Sequence, residues 1–303
     1  MRPIRLLFAF LCVLAVPGFA AAFSLFGSDP ADRIVIPTST GERQAFARLV
    51  PGGGARPTIV LLHGRLASAR RAMAKYDFDE VALKNGYNIV FADGIKRRWQ
   101  DGRVEGPLAA IDDVAFLKDL AKTLVDKKIA RKGELYLVGI SNGGMMAYRM
   151  ACEAPGVYAA LGTVIANMPE GLANCPLSAT PLIAINGVSD PIVPFKGGIV
   201  ARLKKQGRVI GVPATLERFA RANGCSALAT ERLPDRRRKD GLSILRHQGR
   251  QCRNGAVVSY DIVGAGHAVP GRDSFPVHFF GQTSSEISAA QLMANFFGQL
   301  AGR

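Results

Sequence analysis

The stretch Leu135-Tyr-Leu-Val-Gly-Ile-Ser-Asn-Gly-Gly144 decides how this chain is read. An apolar, β-prone run enters Gly139-x-Ser141-x-Gly143, and Met145-Met-Ala-Tyr-Arg-Met-Ala151, a good helix former, follows it. A serine on a sharp turn between strand and helix has its hydroxyl lifted clear of the sheet, and glycine on either side leaves room for neighbouring backbone. The same turn aims N–H groups from the helix start at a reacting oxygen. The segment therefore predicts a nucleophile, Ser141, and one oxyanion donor, the backbone N–H of Asn142.

A serine hydroxyl is a weak nucleophile until a base takes its proton. Four histidines are present, and His267 is the one best placed. It stands in Gly264-Ala-Gly-His-Ala-Val-Pro-Gly271, directly after the strand-like Val257-Val-Ser-Tyr-Asp-Ile-Val263, where a loop can present it. His247 reads as a surface histidine, His278 as a packed one, and His63 as a structural residue of its loop. For the acid, the buried-strand pattern Pro181-Leu-Ile-Ala-Ile-Asn186 leads into Gly187-Val-Ser-Asp190-Pro191. Asp93 and the pair Asp112-Asp113 are rival carboxylates, but they precede the nucleophile and read as turn, capping or structural residues. Asp190-Pro191 as a mere turn initiator is the competing reading of that position. The chain order Ser141, Asp190, His267 is the order expected of the α/β-hydrolase architecture. A second oxyanion donor is expected after an earlier strand, and Thr58-Ile-Val-Leu-Leu-His-Gly-Arg65 ends in the His-Gly that places the backbone N–H of Arg65 there.

These segments resemble the secreted α/β-hydrolase esterases grouped as polyhydroxybutyrate depolymerases, feruloyl esterases and LpqC-like proteins. The likeness runs through Leu61-Leu-His-Gly64, Ala92-Asp-Gly94, Trp99-Gln-Asp-Gly-Arg103, Ile111-Asp-Asp-Val-Ala-Phe-Leu117 and Gly139-Ile-Ser-Asn-Gly-Gly-Met-Met-Ala-Tyr-Arg149. It continues through Ser189-Asp-Pro-Ile-Val-Pro194, Val212-Pro213, Asn223-Gly-Cys225 and Gly266-His267. The resemblance implies hydrolysis of carboxylic esters with no metal or organic cofactor. It also places Trp99, the single tryptophan, in a loop near the site, as either a substrate platform or a core residue. Family members commonly carry a tryptophan two residues after the histidine, where this chain has Val269. An aromatic wall is thereby expected to be replaced by Val269, which disfavours a feruloyl acyl group.

Apolar runs at 58–62, 88–92, 134–140, 161–166, 181–186 and 257–263 alternate with helix-like stretches near 69–85, 108–128, 143–153, 213–223 and 284–298. This pattern predicts a mostly parallel sheet with helices on both faces, the α/β-hydrolase fold without a large lid. Ile34-Val-Ile36 and Ala45–Val50 read as an antiparallel opening hairpin. The site residues all fall at carboxyl ends of predicted strands. Residues 23–303 are expected to form a single catalytic domain. Arg2, Arg5, the apolar run Leu6–Val16 and Ala20-Ala-Ala22 read as a secretory signal peptide over 1–22, which implies a secreted or periplasmic protein with no transmembrane segment after processing.

Beyond Cys12, four cysteines remain, an even number that in an exported chain points to disulfides. The sequence-local pairing Cys152–Cys175 and Cys225–Cys252 is expected. The chain carries 39 Lys plus Arg against 24 Asp plus Glu, a formal net charge of +15. Such a field favours anionic cell envelopes or acidic polysaccharides, and no zinc spacing, phosphate loop or RNA-binding aromatic motif accompanies it. The basic run Arg236-Arg-Arg-Lys239 reads as a solvated loop. The sequence thus predicts an exported serine esterase acting on polyhydroxyalkanoate-type or polysaccharide-linked acyl esters. The alternatives are a serine peptidase on the same fold and a non-catalytic basic protein that binds the envelope.

Overall fold

Alternation within the short apolar runs builds the centre of the molecule. In β3 (Arg56–Leu62), Ile59 and Leu61 join one buried layer and Val60 and Leu62 the other, and in β5 (Ala130–Ile140) Tyr136 and Val138 oppose Leu135 and Leu137 in the same way. Each strand is therefore apolar on both faces, and only helices on both sides can cover it. One layer holds α1 (Ala69–Lys75), α2 (Phe78–Lys84) and α7 (Ala289–Ala301). The other holds α3 (Asp113–Asp126), α4 (Asn142–Glu153) and α5 (Val212–Ala222).

The computed structural model describes residues 31–39, 41–103, 110–200, 206–236, 240–271 and 277–301. The segment 1–22, expected to be a signal peptide, and residues 237–239 of the basic run lie outside them. Among the described residues, ten strands form one sheet in the order β1-β2-β4-β3-β5-β6-β7-β12-β11-β10. Its middle is parallel: β4 (Asn88–Ala92), β3, β5, β6 (Ala160–Val164), β7 (Leu182–Gly187) and β12 (Val257–Val263). The predicted opening hairpin is present as β1 (Asp32–Thr38) and β2 (Gly41–Arg48), with Ile34 opposite Ala45. β8 (Gly197–Ile199) and β9 (Arg208–Ile210) form a separate two-stranded ribbon, and α6 (Val277–Phe280) is a single turn.

Two features differ from the sequence expectation. The helix expected over 69–85 is two helices, because Tyr76 is extended (φ −105°, ψ 158°) and Asp77 starts a new turn. The antiparallel half of the sheet, β10 (Ala227–Arg232) and β11 (Ser243–Arg250), had no apolar run to announce it. Most of its side chains are exposed or half-buried, so burial leaves little trace in composition. Elsewhere the helix starts follow local chemistry. Ser68 Oγ accepts the N–H of Arg71 at the head of α1, and Asp112 Oδ1 accepts that of Ala115 at the head of α3.

Both expected disulfides are formed. Cys152, near the end of α4, joins Cys175 across 23 residues, and Cys225, just past α5, joins Cys252 across 27. Loops of this size restrict the unfolded chain by roughly 3 kcal/mol each. Replacing Cys225 and Cys252 by serine is expected to lower the unfolding free energy by about that amount. Denaturant titration of the variant, alongside the wild-type protein in reductant, measures the loss.

Candidate active site

Ser141 sits where β5 ends and α4 begins, with φ 53° and ψ −117°. A non-glycine residue at positive φ is strained, and the surrounding backbone must hold it there. Its N–H donates to Val164 O on the neighbouring strand at 2.9 Å, and its carbonyl accepts the N–H of Met145 at 3.0 Å. The turn is tight enough that a Cβ on Gly139 would stand 2.2 Å from Gly143 O, and one on Gly143 would stand 2.4 Å from Leu62 O at the end of β3. These two positions require glycine because backbone passes where a side chain would begin.

The loop leaving β12 brings His267 over this turn. Its main chain is pinned to the segment around Phe280, whose carbonyl accepts the His267 N–H at 2.5 Å. His267 Nε2 lies 3.0 Å from Ser141 Oγ, and Nδ1 lies 2.6 Å from Asp190 Oδ2. Asp190, on the loop after β7, is held independently, its Oδ1 accepting the N–H groups of Ile192 at 2.7 Å and Val193 at 2.8 Å. The His267 and Asp190 side chains are buried while Ser141 is half-buried.

Gly64, the residue before Arg65, packs against this serine. A Cβ on Gly64 would be 3.5 Å from Ser141 Cβ, and the next two amides, of Leu66 and Ala67, are already given to Arg97 O and Gly64 O. Asn142 is the first residue of α4, where a helix offers no internal acceptor for its N–H. His63, fully buried behind this loop, bonds Gly64 O through Nδ1 at 2.8 Å and accepts the N–H of Gly94 on Nε2 at 3.0 Å. A cavity of about 390 Å³ opens over the site, walled by Gly64–Ala67, Arg71, Ala72, Lys75, Tyr76, Ile140, Ile165 and Phe280 around Ser141 and His267.

Two expected substrate contacts lie elsewhere. Trp99 is 1% exposed and does not line the cavity. Its indole N–H donates to His63 O at 2.9 Å and its ring stacks on Phe116, so it is a core residue under the His-Gly loop. Val269 is 2% exposed and packs into the layer that holds α7, so the position after the histidine forms no wall of the cavity in this chain. The aromatic side chains that do line the site, Tyr76 and Phe280, come from the break after α1 and from α6. Of the rival acids, Asp93 accepts the N–H of Ala69 at 2.9 Å, Asp112 caps α3, and Asp113 pairs with Arg43 at 2.7 Å and accepts the N–H of Gln100. Burial raises the Asp113 pKa and Arg43 opposes that shift. His247 is on β11, 3.1 Å from Asp261 and 2.8 Å from Thr230 Oγ1, and the hydrogen bond to Asp261 holds its pKa above the ordinary imidazole value. His278 lies on α6, and its side chain is outside what is described.

Sequence reading missed the Asn142 side chain. Its Oδ1 accepts the N–H of Trp99 at 2.7 Å, and its Nδ2 donates to Trp99 O at 3.1 Å and to Asp101 Oδ2 at 2.5 Å. Asp101 in turn is forked by Arg103. The loop 99–103 is thus clamped to the first turn of α4, which explains why that stretch and the serine turn occur together.

No protein-family model matches the chain. It is 27% identical over 256 residues to NocK of Nocardia uniformis subsp. tsuyamanensis, a protein named as an esterase, covering 80% of this chain and 74% of that one. It is 25% identical over 226 residues to feruloyl esterase B of Piromyces equi, covering 72% of this chain and 40% of that one, so the match spans less than half of that relative's length. Among solved structures, the acetyl xylan esterase from Aspergillus awamori superposes with a TM-score of 0.54 at 11% identity, covering 78% of this chain and 94% of that one. The chain has the α/β-hydrolase fold and is a carboxylic ester hydrolase. The esterase keeps the parallel strands and helices of that fold on both sides of the serine turn, and its antiparallel half continues the sheet beyond the histidine-bearing strand.

Removing the clamp on the 99–103 loop gives a measurable effect. Asn142→Ala leaves the buried Trp99 N–H and one oxygen of Asp101 without this partner, which costs about 1–3 kcal/mol. Thermal unfolding of the variant is expected to show a Tm several degrees below that of the esterase, with a native circular-dichroism spectrum at low temperature.

Proposed function

We propose that this esterase hydrolyses carboxylic esters through a catalytic triad of Ser141, His267 and Asp190, by way of an acyl-enzyme. The observation that carries the reading is the unbroken relay from Ser141 Oγ through His267 Nε2 and Nδ1 to Asp190 Oδ2, at 3.0 Å and 2.6 Å, opening on the cavity. As Ser141 attacks the acyl carbon, its proton passes to His267 Nε2, and Asp190 stabilises the imidazolium and keeps the ring in the tautomer that leaves Nε2 free to accept. Charge that builds on the carbonyl oxygen falls between the backbone N–H groups of Arg65 and Asn142, each worth on the order of 3 kcal/mol in the transition state. His267 then protonates the departing alcohol, and water repeats the sequence to free the acid. Every proton is carried by these side chains, so the chemistry needs no metal and no organic cofactor.

The substrate class we propose is a polyhydroxyalkanoate-type or polysaccharide-linked acyl ester. A cavity with one open side accepts an ester that protrudes from a larger molecule, and Leu66, exposed at its lip, offers an apolar contact. With Val269 away from the cavity, its small size gives no ground for excluding a hydroxycinnamoyl acyl group, and Tyr76 and Phe280 offer aromatic surface for one. The name of the Piromyces relative points the same way. We further read residues 23–303 as one exported catalytic domain, since two disulfides accord with an oxidising compartment. The charge of +15 favours electrostatic association with an anionic envelope or polysaccharide.

Hydrolysis of p-nitrophenyl acetate, butyrate and octanoate, together with labelling by a fluorophosphonate, tests the triad. Ser141→Ala is expected to lose labelling and roughly six orders of magnitude in turnover. Asp190→Asn is expected to lose on the order of 10⁴ in kcat through the wrong imidazole tautomer. Turnover in Ser141→Ala within a few-fold of wild type would reject Ser141 as the nucleophile.

A further inference from the structure

Among the described residues that line the cavity, the charges are all of one sign: Arg65, Arg71 and Lys75, with no carboxylate. Helical spacing explains how two of the cations arrive there. Ser68 caps α1, and positions 71, 72 and 75 share the face that follows it, so buried Ala72 turns Arg71 and Lys75 toward the opening on either side. Arg70, one position off that face, lies instead over the Phe46 ring at 4.4 Å. Arg65 lines the cavity from the His-Gly loop, and its guanidinium donates to the neutral Gln206 Oε1 at 2.5 Å. Burial, then repulsion from Arg98 and Arg103, lowers the Arg65 pKa, as expected where positive potential is in excess, although Arg103 itself is matched by Asp101. The net charge of +15 adds a general attraction for anions, but only the cavity residues lie within contact distance of a bound ester.

We infer that the preferred substrate of this site is an ester that itself carries an anionic group, a carboxylate in the first instance, seated between Arg71, Lys75 and Arg65 while its ester carbonyl meets Ser141. The inference rests on the triad reading above and names the substrate class for it. A carboxylate can belong to the acyl part or to the alcohol part. The contact is with a group that does not react, so it is made equally in the ground and transition states and falls mainly on KM.

Matched ester pairs test this on the whole protein. In the acyl arm, mono-p-nitrophenyl glutarate is compared with p-nitrophenyl valerate. In the alcohol arm, the butyrate ester of 4-hydroxybenzoate is compared with that of 4-hydroxybenzamide. Each kcat/KM is divided by the rate of the same ester with hydroxide. Partly exposed ion pairs contribute up to about five-fold each, so the anionic member of one arm is expected to be favoured by about ten-fold. That preference should shrink in 0.5 M salt. Arg71→Gln with Lys75→Gln should bring the ratio to within about two-fold of unity, while the charge-preserving exchange Arg71→Lys with Lys75→Arg should retain it. Lys132→Gln removes one charge near the start of β5, about 30 Å from Ser141 along the strand, and should leave the ratio unchanged.

Equal or reversed preference in both arms, or a preference untouched by the double glutamine variant, overturns the inference and leaves the esterase reading standing. Failure of the folded wild-type protein to hydrolyse any of the four esters would remove both.

Discussion

Everything at the site depends on how closely the backbone at the head of α4 approaches the end of β3. Gly139 and Gly143 let the chain pass within van der Waals distance of Leu62 and of itself, and that contact keeps Ser141 at a positive φ that a free chain would abandon. The same approach sets Gly64 beside the serine. The serine turn and the His-Gly loop are thus placed together by one packing constraint between neighbouring parallel strands.

Around that constraint the polar groups are arranged in tiers that do not compete. Asp190 is fixed by two amides of its own loop before it meets His267, and Asn142 uses its side chain inward, on Trp99 and Asp101. Trp99 then fills the space under the His-Gly loop and hydrogen-bonds His63 O, so the loop that carries Arg65 rests on an aromatic floor. The tryptophan supports the His-Gly loop from the core, and that loop, α1, the break after it and α6 contribute walls of the cavity.

How much of this could be read in the sequence follows from burial. The parallel strands were legible because both of their faces are covered, which compresses them into short apolar runs, and the serine turn was legible because its glycines are steric necessities. The order serine, aspartate, histidine followed from the strands that each residue leaves. β10 and β11 were not legible, because half-exposed antiparallel strands mix polar and apolar residues without a clean period. Val269 was misplaced, and Trp99 was left open between platform and core, for a different reason. Nearness in sequence to a site says nothing about which way a side chain turns, and both turn into the core. Arg71 and Lys75 carried a usable signal, since they follow the donor loop at helical spacing, but it could be recognised only once α1 was known to end at Lys75.

An open sheet has two margins, and among the described residues those of this ten-stranded sheet are β1 and β10. Both are built to discourage another strand from adding on. β1 places Asp32 and Arg33 at its start and Pro37, which has no N–H to give, near its end, while β10 finishes on the exposed Thr230-Glu231-Arg232. Charge and proline along a margin frustrate edge-to-edge growth. The extension that carries the fold beyond His267 can therefore lengthen the sheet without making it a template for aggregation.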